Sequence, residues 1–305
     1  MATAASTPPK LLDRVRLAIR LRHYSRRTEE AYVSWIRRFI LFHGKRHPLE
    51  MRADEVGAFL SWLATTRRVS ASTQNQALSA LLFLYRDVLR IEIGDMPSVV
   101  RARTPERLPV VLSRDEVAAI LAELGGMMWL IAGLLYGAGL RLSECLELRV
   151  KDIDFGRKQV VVRAGKGQKD RTTVLPDKVA KRLTQHIAGV RAQHEEDLRL
   201  GVGRVVLPFA LEKKYPNAAI EMGWQFVFPA GRVCRDPRWG PPSRFHLHES
   251  AVQRAVAEAA RRAKMTKRVS CHTFRHHADC RIMPMTRGPS SKGRHSAALT
   301  TRVRL

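Results

Sequence analysis

Acidic side chains are scarce in this sequence: 28 Asp and Glu stand against 54 Lys and Arg, a formal net charge of +26 over 305 residues. Solubility needs only a modest net charge, and an excess of this size repels itself unless a polyanion neutralises it. The shortage therefore makes nucleic acid the expected partner. Cysteine is equally sparse. The four present (Cys145, Cys234, Cys271, Cys280) form no C-x-x-C pair, and charges interrupt every apolar stretch of the opening "MATAASTPPKLLDRVRLAIR", so no secretory leader is read there and a reduced, cytoplasmic protein is expected. Long hydrophobic runs are missing as well. The longest candidate, "GGMMWLIAGLLYGAGL" at 125–140, is too short and too glycine-broken to span a bilayer, and reads as a buried core helix with no membrane partner. What is present, 45% hydrophobic residues, suffices for packed cores in about two domains.

The first domain is expected over 1–93 as a small helical unit. In "YSRRTEEAYVSWIRRFILFHG", Tyr32, Trp35, Ile36, Phe39 and Ile40 recur at helical spacing, with Ser25 or Thr28 as N-cap and Gly44 as the stop. The opposite face carries Arg26, Arg27, Arg37 and Arg38, a basic stripe suited to DNA. Helices at 54–66 and 70–89 repeat the pattern. Residues 94–113, with three prolines and no helical period, predict an extended linker.

A second domain is expected over 114–276. It begins with a helix at 114–123 and the buried helix, followed by a short helix turning into a strand. In "KQVVVRAGKGQKDRTTVLP", Val160 and Val162 alternate on one arm, Thr172 and Val174 on the other, around a Gly-Lys-Gly turn, which predicts a β-hairpin with Lys166 at its tip. Amphipathic helices follow at 177–201 and 249–265, separated by an aromatic and proline-rich insert at 204–248. The fold class is thus mainly α with a small β-hairpin sheet (α+β). Residues 277–305 have two prolines, a single acidic group and no helical period; a disordered tail is expected.

Four cationic side chains fall at structural punctuation: Arg141 just after Gly137-Ala-Gly139, Lys166 at the hairpin tip, and His272 with Arg275 one helical turn apart. Singly, each reads as a solvated charge. In this order and at this spacing, "GAGLRLSECLELRVKDIDF", "AGKGQKDRTTVLP" and "CHTFRH" closely resemble the tyrosine recombinase (phage integrase) family, over nearly the whole chain up to about residue 276. The resemblance implies a SAM-like core-binding domain and a catalytic domain that close as a clamp on duplex DNA, and an assembly of four protomers. The residue types suit transesterification at a phosphodiester. Arg141 and Arg275 can hold the non-bridging oxygens, because a planar guanidinium fork binds two of them and never loses its charge. Lys166, near other cations that lower its pKa, suits the proton donor to the departing 5′-oxygen, as the matching family lysine does. By resemblance, His272 orients the phosphate or shuttles a proton. No metal is expected, since none of the usual carboxylate ligand sets appears, and no nucleotide cofactor, since a phosphotyrosine intermediate conserves the bond energy of the phosphodiester.

The insert resembles the one that distinguishes integron integrases. Such enzymes recombine a double-stranded attI site with attC sites folded from single strands, whose extrahelical bases the insert captures. Trp224, Pro237, Trp239, Phe245 and His246 offer flat faces for unstacked bases, and Arg232, Arg235, Arg238 and Arg244 are candidates to hold the backbone. Members often carry a His-His pair where this chain has Phe245-His246.

After "HTFRH" the family continues with an apolar helix, a Gly-His turn and the nucleophilic tyrosine. This chain has five tyrosines (Tyr24, Tyr32, Tyr85, Tyr136, Tyr215), and none follows residue 215. "RHSAALTTRVRL" echoes the missing turn, with His295 as a weak catalytic candidate. The expectation is a shifted reading frame or a truncation, and a polypeptide that is catalytically inactive. One alternative is a DNA-binding remnant that keeps the fold without the catalysis. Another is a zinc-stabilised DNA-binding module built on Cys271, His272, His276, His277 and Cys280 with Cys234 and His248. The Cys271/Cys280 spacing fits neither C-x-x-C nor the usual paired-histidine pattern.

Overall fold

The computed structural model describes residues 10–92, 108, 110–163, 169–208, 211–235 and 240–275. It divides after Arg107 into two compact units. In the first, α1 (Leu11–Leu21), α2 (Arg26–Phe42), α3 (Ala53–Thr65) and α4 (Ala71–Phe83) enclose one core, and α4 continues into a π-helical stretch, Leu84–Leu89. The Ser25 hydroxyl starts α2 by accepting from the Thr28 amide at 3.1 Å, and Ser70 does the same for α4 from Thr73 at 3.3 Å. These bonds satisfy amides that the first helical turn leaves orphaned. Beyond Phe42 the chain reverses through Gly44 at φ +63°, a conformation that costs glycine little. Ile36, Phe39, Phe59, Leu81 and Tyr85 are fully buried, and Phe39 meets Phe59 edge-on at 5.6 Å. Arg26, Arg27, Arg37 and Arg38 are exposed along α2.

The second unit opens with α5 (Arg114–Ala122), capped reciprocally by Ser113 and Glu116. Next come α6 (Gly126–Gly137), α7 (Leu142–Leu146), β1 (Ile153–Asp154), β2 (Gln159–Val162), β3 (Arg171–Val174), α8 (Asp177–Arg199), α9 (Leu211–Lys214) and α10 (Glu249–Arg262). Helix α6 is the hub: Leu130 to Leu135 are buried along it, and α5, α7, α8 and α10 all pack on it. The three strands form one antiparallel sheet in the order β1-β2-β3. The chain is therefore mainly helical with a small sheet. Among the described residues no helix is long and apolar enough to cross a membrane.

The register decides which residues of β3 are covered. Val160 pairs with Thr173 and Val162 with Arg171, so Arg171 and Thr173 share the covered face with the two buried valines. Thr172 and Val174 point the other way, and Val174 is 64% exposed. Strand residues alternate faces with a period of two, so misjudging the register by one position exchanges the two sets. The consequence is to bring Arg171 under the sheet, beside α7.

The insert has little regular structure and is held from two sides. The Val150 amide donates to the Gln225 carbonyl at 3.0 Å and the Val227 amide to the Leu148 carbonyl at 2.9 Å. Two histidines of α8 reach its backbone through Nε2, His186 to the Val227 carbonyl and His194 to the Ile220 carbonyl, both at 2.8 Å. Val205, Leu207, Ala218, Ala219 and Phe226 form its own small core.

Candidate active site

Two glycines deliver Arg141. A side chain at Gly137 would collide with the Pro176 ring, so only glycine lets the end of α6 approach that loop. Gly139, at φ +64°, then turns the chain in the left-handed region. Arg141 follows as the N-cap of α7. Three residues on, Glu144 reaches back to accept the Arg141 amide at 2.8 Å and the Arg141 Nη1 at 2.6 Å. Arg171, arriving from β3, donates to the same carboxylate through both prongs, at 2.9 and 2.6 Å. Arg275 comes from the helical residues 271–275, at whose start the Thr273 hydroxyl accepts the Ser270 amide and bonds the Ser270 hydroxyl while the Thr273 amide donates to the Ser270 carbonyl. Its Nη1 lies 3.9 Å from Glu144 Oε2.

Three guanidiniums thus surround one carboxylate that is 8% exposed. Burial alone would raise the Glu144 carboxyl, but hydrogen bonds from Arg171 and Arg141 outweigh it and bring the group down from 4.5 to about 2. Glu144 is therefore ionised and allows the arginines to share a small space, while the cluster as a whole stays positive. Arg141 gives one side-chain donor to Glu144 and is about a third exposed, which leaves donors of its five for an anion. His272, on the same helical turn as Arg275, faces solvent. The arrangement is suited to holding a phosphate.

A cleft of about 540 Å³ adjoins this cluster, with Glu144 in its wall together with Arg149, Lys151, Trp224, Phe226 and His246. Arg149 ties it together. Its guanidinium donates to the Trp224 carbonyl at 2.6 Å and the Val206 carbonyl at 2.9 Å, and lies 4.4 Å from the Phe226 ring centroid. Burial lowers its pKa, with Asp152 opposing. Phe245 packs edge-on against Phe226 at 5.4 Å, and His246 places Nδ1 2.8 Å from the Leu247 carbonyl.

A profile described as "Phage integrase, N-terminal SAM-like domain" matches residues 11–95, and one described as "Phage integrase family" matches residues 111–284. The chain belongs to the phage integrase family of tyrosine recombinases. It is 48% identical over 281 residues to proteins named "Integrase/recombinase" from Escherichia coli and from Pseudomonas aeruginosa, covering 90% of this chain and 83% of each relative. In fold it is similar to a lambda integrase dimer bound to a core site, with a TM-score of 0.56 at 16% identity over 88% of this chain and 86% of that one. This recombinase therefore carries an N-terminal SAM-like domain and a C-terminal catalytic domain.

Of the residues singled out from sequence, Arg141 and Arg275 converge on one carboxylate, and Trp224, Phe245 and His246 gather around the insert. Arg232 and Arg235 are exposed on either side of the Cys234–Ser243 bridge. Lys166, Pro237, Arg238, Trp239, His276, His277, Cys280, His295 and the tail 277–305 lie outside the described residues. Arg244 needs correction. Its fork is closed on Asp197 at 2.6 and 2.7 Å, and Nη1 donates to the Ala230 carbonyl at 2.9 Å, so it braces the insert against α8 instead of offering itself to a DNA backbone. Sequence reasoning passed over Glu144, Arg171 and Arg149. A glutamate three residues after a chain turn is a capping signal, and it was available in "RLSE".

Proposed function

We propose that this recombinase is of the integron-integrase type, binding a double-stranded attI site and attC sites folded from single strands, and that a polypeptide of this sequence occupies those sites without cutting them. The observation that carries the reading is the shared wall of the two features: Glu144, which gathers Arg141, Arg171 and Arg275, also lines the aromatic cleft of the insert. A base drawn out of a folded strand into that cleft would hold the neighbouring phosphates near the arginines.

At the phosphate, Arg141 and Arg275 neutralise the non-bridging oxygens as negative charge builds on the phosphorane. Lys166 protonates the leaving 5′-oxygen, and His272 orients the phosphate or passes a proton. The attacking phenolate is what the sequence lacks. In the family reaction four protomers close around two sites, and a chain without the tyrosine enters such an assembly as a silent subunit.

The test is binding to a folded attC hairpin, to the same sequence as plain duplex, and to unrelated DNA, over a salt series. Affinity for the hairpin should lead and should fall steeply with salt, because the cationic surface displaces many counterions. Trp224→Ala should reduce the preference for hairpin over duplex by about 1 to 3 kcal/mol, the value of a lost base–aromatic stack. Equal affinity for the two DNAs, or equal losses on both, would remove the integron-type reading.

A further inference from the structure

The Trp224 ring already has an occupant. Lys151, on the 3-10 turn Val150–Asp152, is an exposed residue that lines the cleft, and its ammonium is laid on the indole. Nζ lies 2.8 Å from the Trp224 ring centroid. Local charge explains the choice of partner. The adjacent carboxylate, Asp152, is buried and already receives Arg163 Nε at 2.8 Å and the Arg149 amide at 3.0 Å. Burial lowers the pKa of the ammonium first; Asp152 and Glu221 attract it and oppose that shift, while Arg163 and Arg149 press on it and add to it. Both Asp152 oxygens have other donors, and the surface the ammonium rests on is the negative face of the indole.

Resting on the reading of this cleft as the capture site for an unstacked base, we propose that Lys151 is a specificity-determining residue whose ammonium holds the Trp224 face until an extrahelical base displaces it. A cation on a ring and a base on a ring use the same π surface, so the two cannot share one face. Each capture therefore forfeits the cation–π contact. A base that is already extrahelical can meet that loss, since stacking on an aromatic ring is of comparable or greater strength. A paired base must also leave its own stack and partner, and the added loss holds it in the duplex. Lys151 thus raises the threshold for capture, and plain duplex binds with the lysine still on the ring.

The full chain tests this with two hairpins that differ only in carrying an extrahelical base or an abasic sugar at one position. In carbon-resolved spectra of lysine-labelled protein, the Lys151 ε-methylene should lie upfield in the free protein, shifted by the indole ring current and identified by its loss in Lys151→Met. The base-bearing hairpin should return it to the ordinary lysine position, and the abasic hairpin should leave it in place. Lys151→Met should raise the preference for the base-bearing hairpin about twofold to fivefold, the equivalent of one exposed cation–π contact, and Trp224→Ala should lower it. An ordinary lysine position in the free protein, or a preference unchanged by Lys151→Met while Trp224→Ala lowers it, overturns the role of Lys151 alone. A preference unchanged by Trp224→Ala removes base capture and the proposal with it.

Discussion

Arg171 on β3 meets Glu144 on α7 through both prongs of its guanidinium, at 2.9 and 2.6 Å, across 27 positions of sequence. The sheet is thereby tied to the carboxylate that also orients Arg141. Three like charges at this separation repel one another, so the arginine cluster depends on the one carboxylate at its centre.

Glu144→Gln should therefore destabilise the recombinase by about 2 to 3 kcal/mol, because Arg275 is largely buried while Arg141 and Arg171 are about a third exposed and partly screened. Urea unfolding followed by tryptophan fluorescence measures it. A change below about 1 kcal/mol would mean that solvent screens the arginines.

The same carboxyl sets an acid limit. Glu144 falls from 4.5 to about 2 in the folded chain, so the folded state binds its proton more weakly than the unfolded state. Its contribution is fully present above about pH 4.5 and is lost as pH drops through 2. At about 1.4 kcal/mol per pH unit the contribution is on the order of 3 kcal/mol. The stability gap between wild type and Glu144→Gln should narrow steadily below pH 4.5. A gap that stays constant down to pH 2.5 would remove this linkage.

Arg244→Ala strips the partner from Asp197, which is 4% exposed and keeps only the Gln193 amide at 3.2 Å among its described side-chain bonds. The loss should be about 3 to 5 kcal/mol in unfolding experiments. At temperatures where the variant is folded, salt-dependent DNA binding should keep its wild-type slope, since no phosphate contact is removed. A shallower slope with unchanged stability would return Arg244 to the DNA surface.

Much of this was legible in the sequence, and the exceptions share a cause. The helices of the N-terminal unit follow from apolar spacing and from Ser25 and Ser70, all local signals. Arg141, His272 and Arg275 stand out because their order along the chain is itself a pattern, and the fold brings Arg141 and Arg275 to one carboxylate. Glu144 and Arg171 look like ordinary surface charges in "LSECLEL" and "QKDRTT", and only the register of a hairpin brings them together. Arg244 was misassigned for the same reason, since its partner lies 47 positions away on α8. Lys151 and Trp224 meet across 73 positions of sequence, which no spacing rule encodes.

Tyr85 offers a test of the N-terminal core. Its side chain is fully buried, and its hydroxyl has no hydrogen-bond partner among the described residues; burial pushes the phenol up to about 12. A buried hydroxyl without a partner has lost its water and gained nothing in exchange. Tyr85→Phe should leave stability unchanged or raise it by up to about 1 kcal/mol in urea unfolding. Destabilisation beyond about 1 kcal/mol would show that the hydroxyl is satisfied in solution.

In the proposed reaction, Arg141, Lys166, His272 and Arg275 lower the barrier only when a nucleophile stands in line with the phosphorus, and water is a poorer nucleophile than a positioned phenolate. None of the five tyrosines lies beyond residue 215. Tyr85 is sealed in the N-terminal core, and Tyr215 precedes the insert aromatics. A nicked attC substrate traps a phosphotyrosine whenever one forms, so incubation with this polypeptide followed by a denaturing gel should show no shifted band, whereas a relative carrying the tyrosine should give one. Mixed with that relative, the chain should lower recombination in proportion to its share, by occupying sites or entering assemblies without cutting. A covalent band that disappears when one of the five tyrosines is changed to phenylalanine would establish this chain as an active recombinase with a relocated nucleophile.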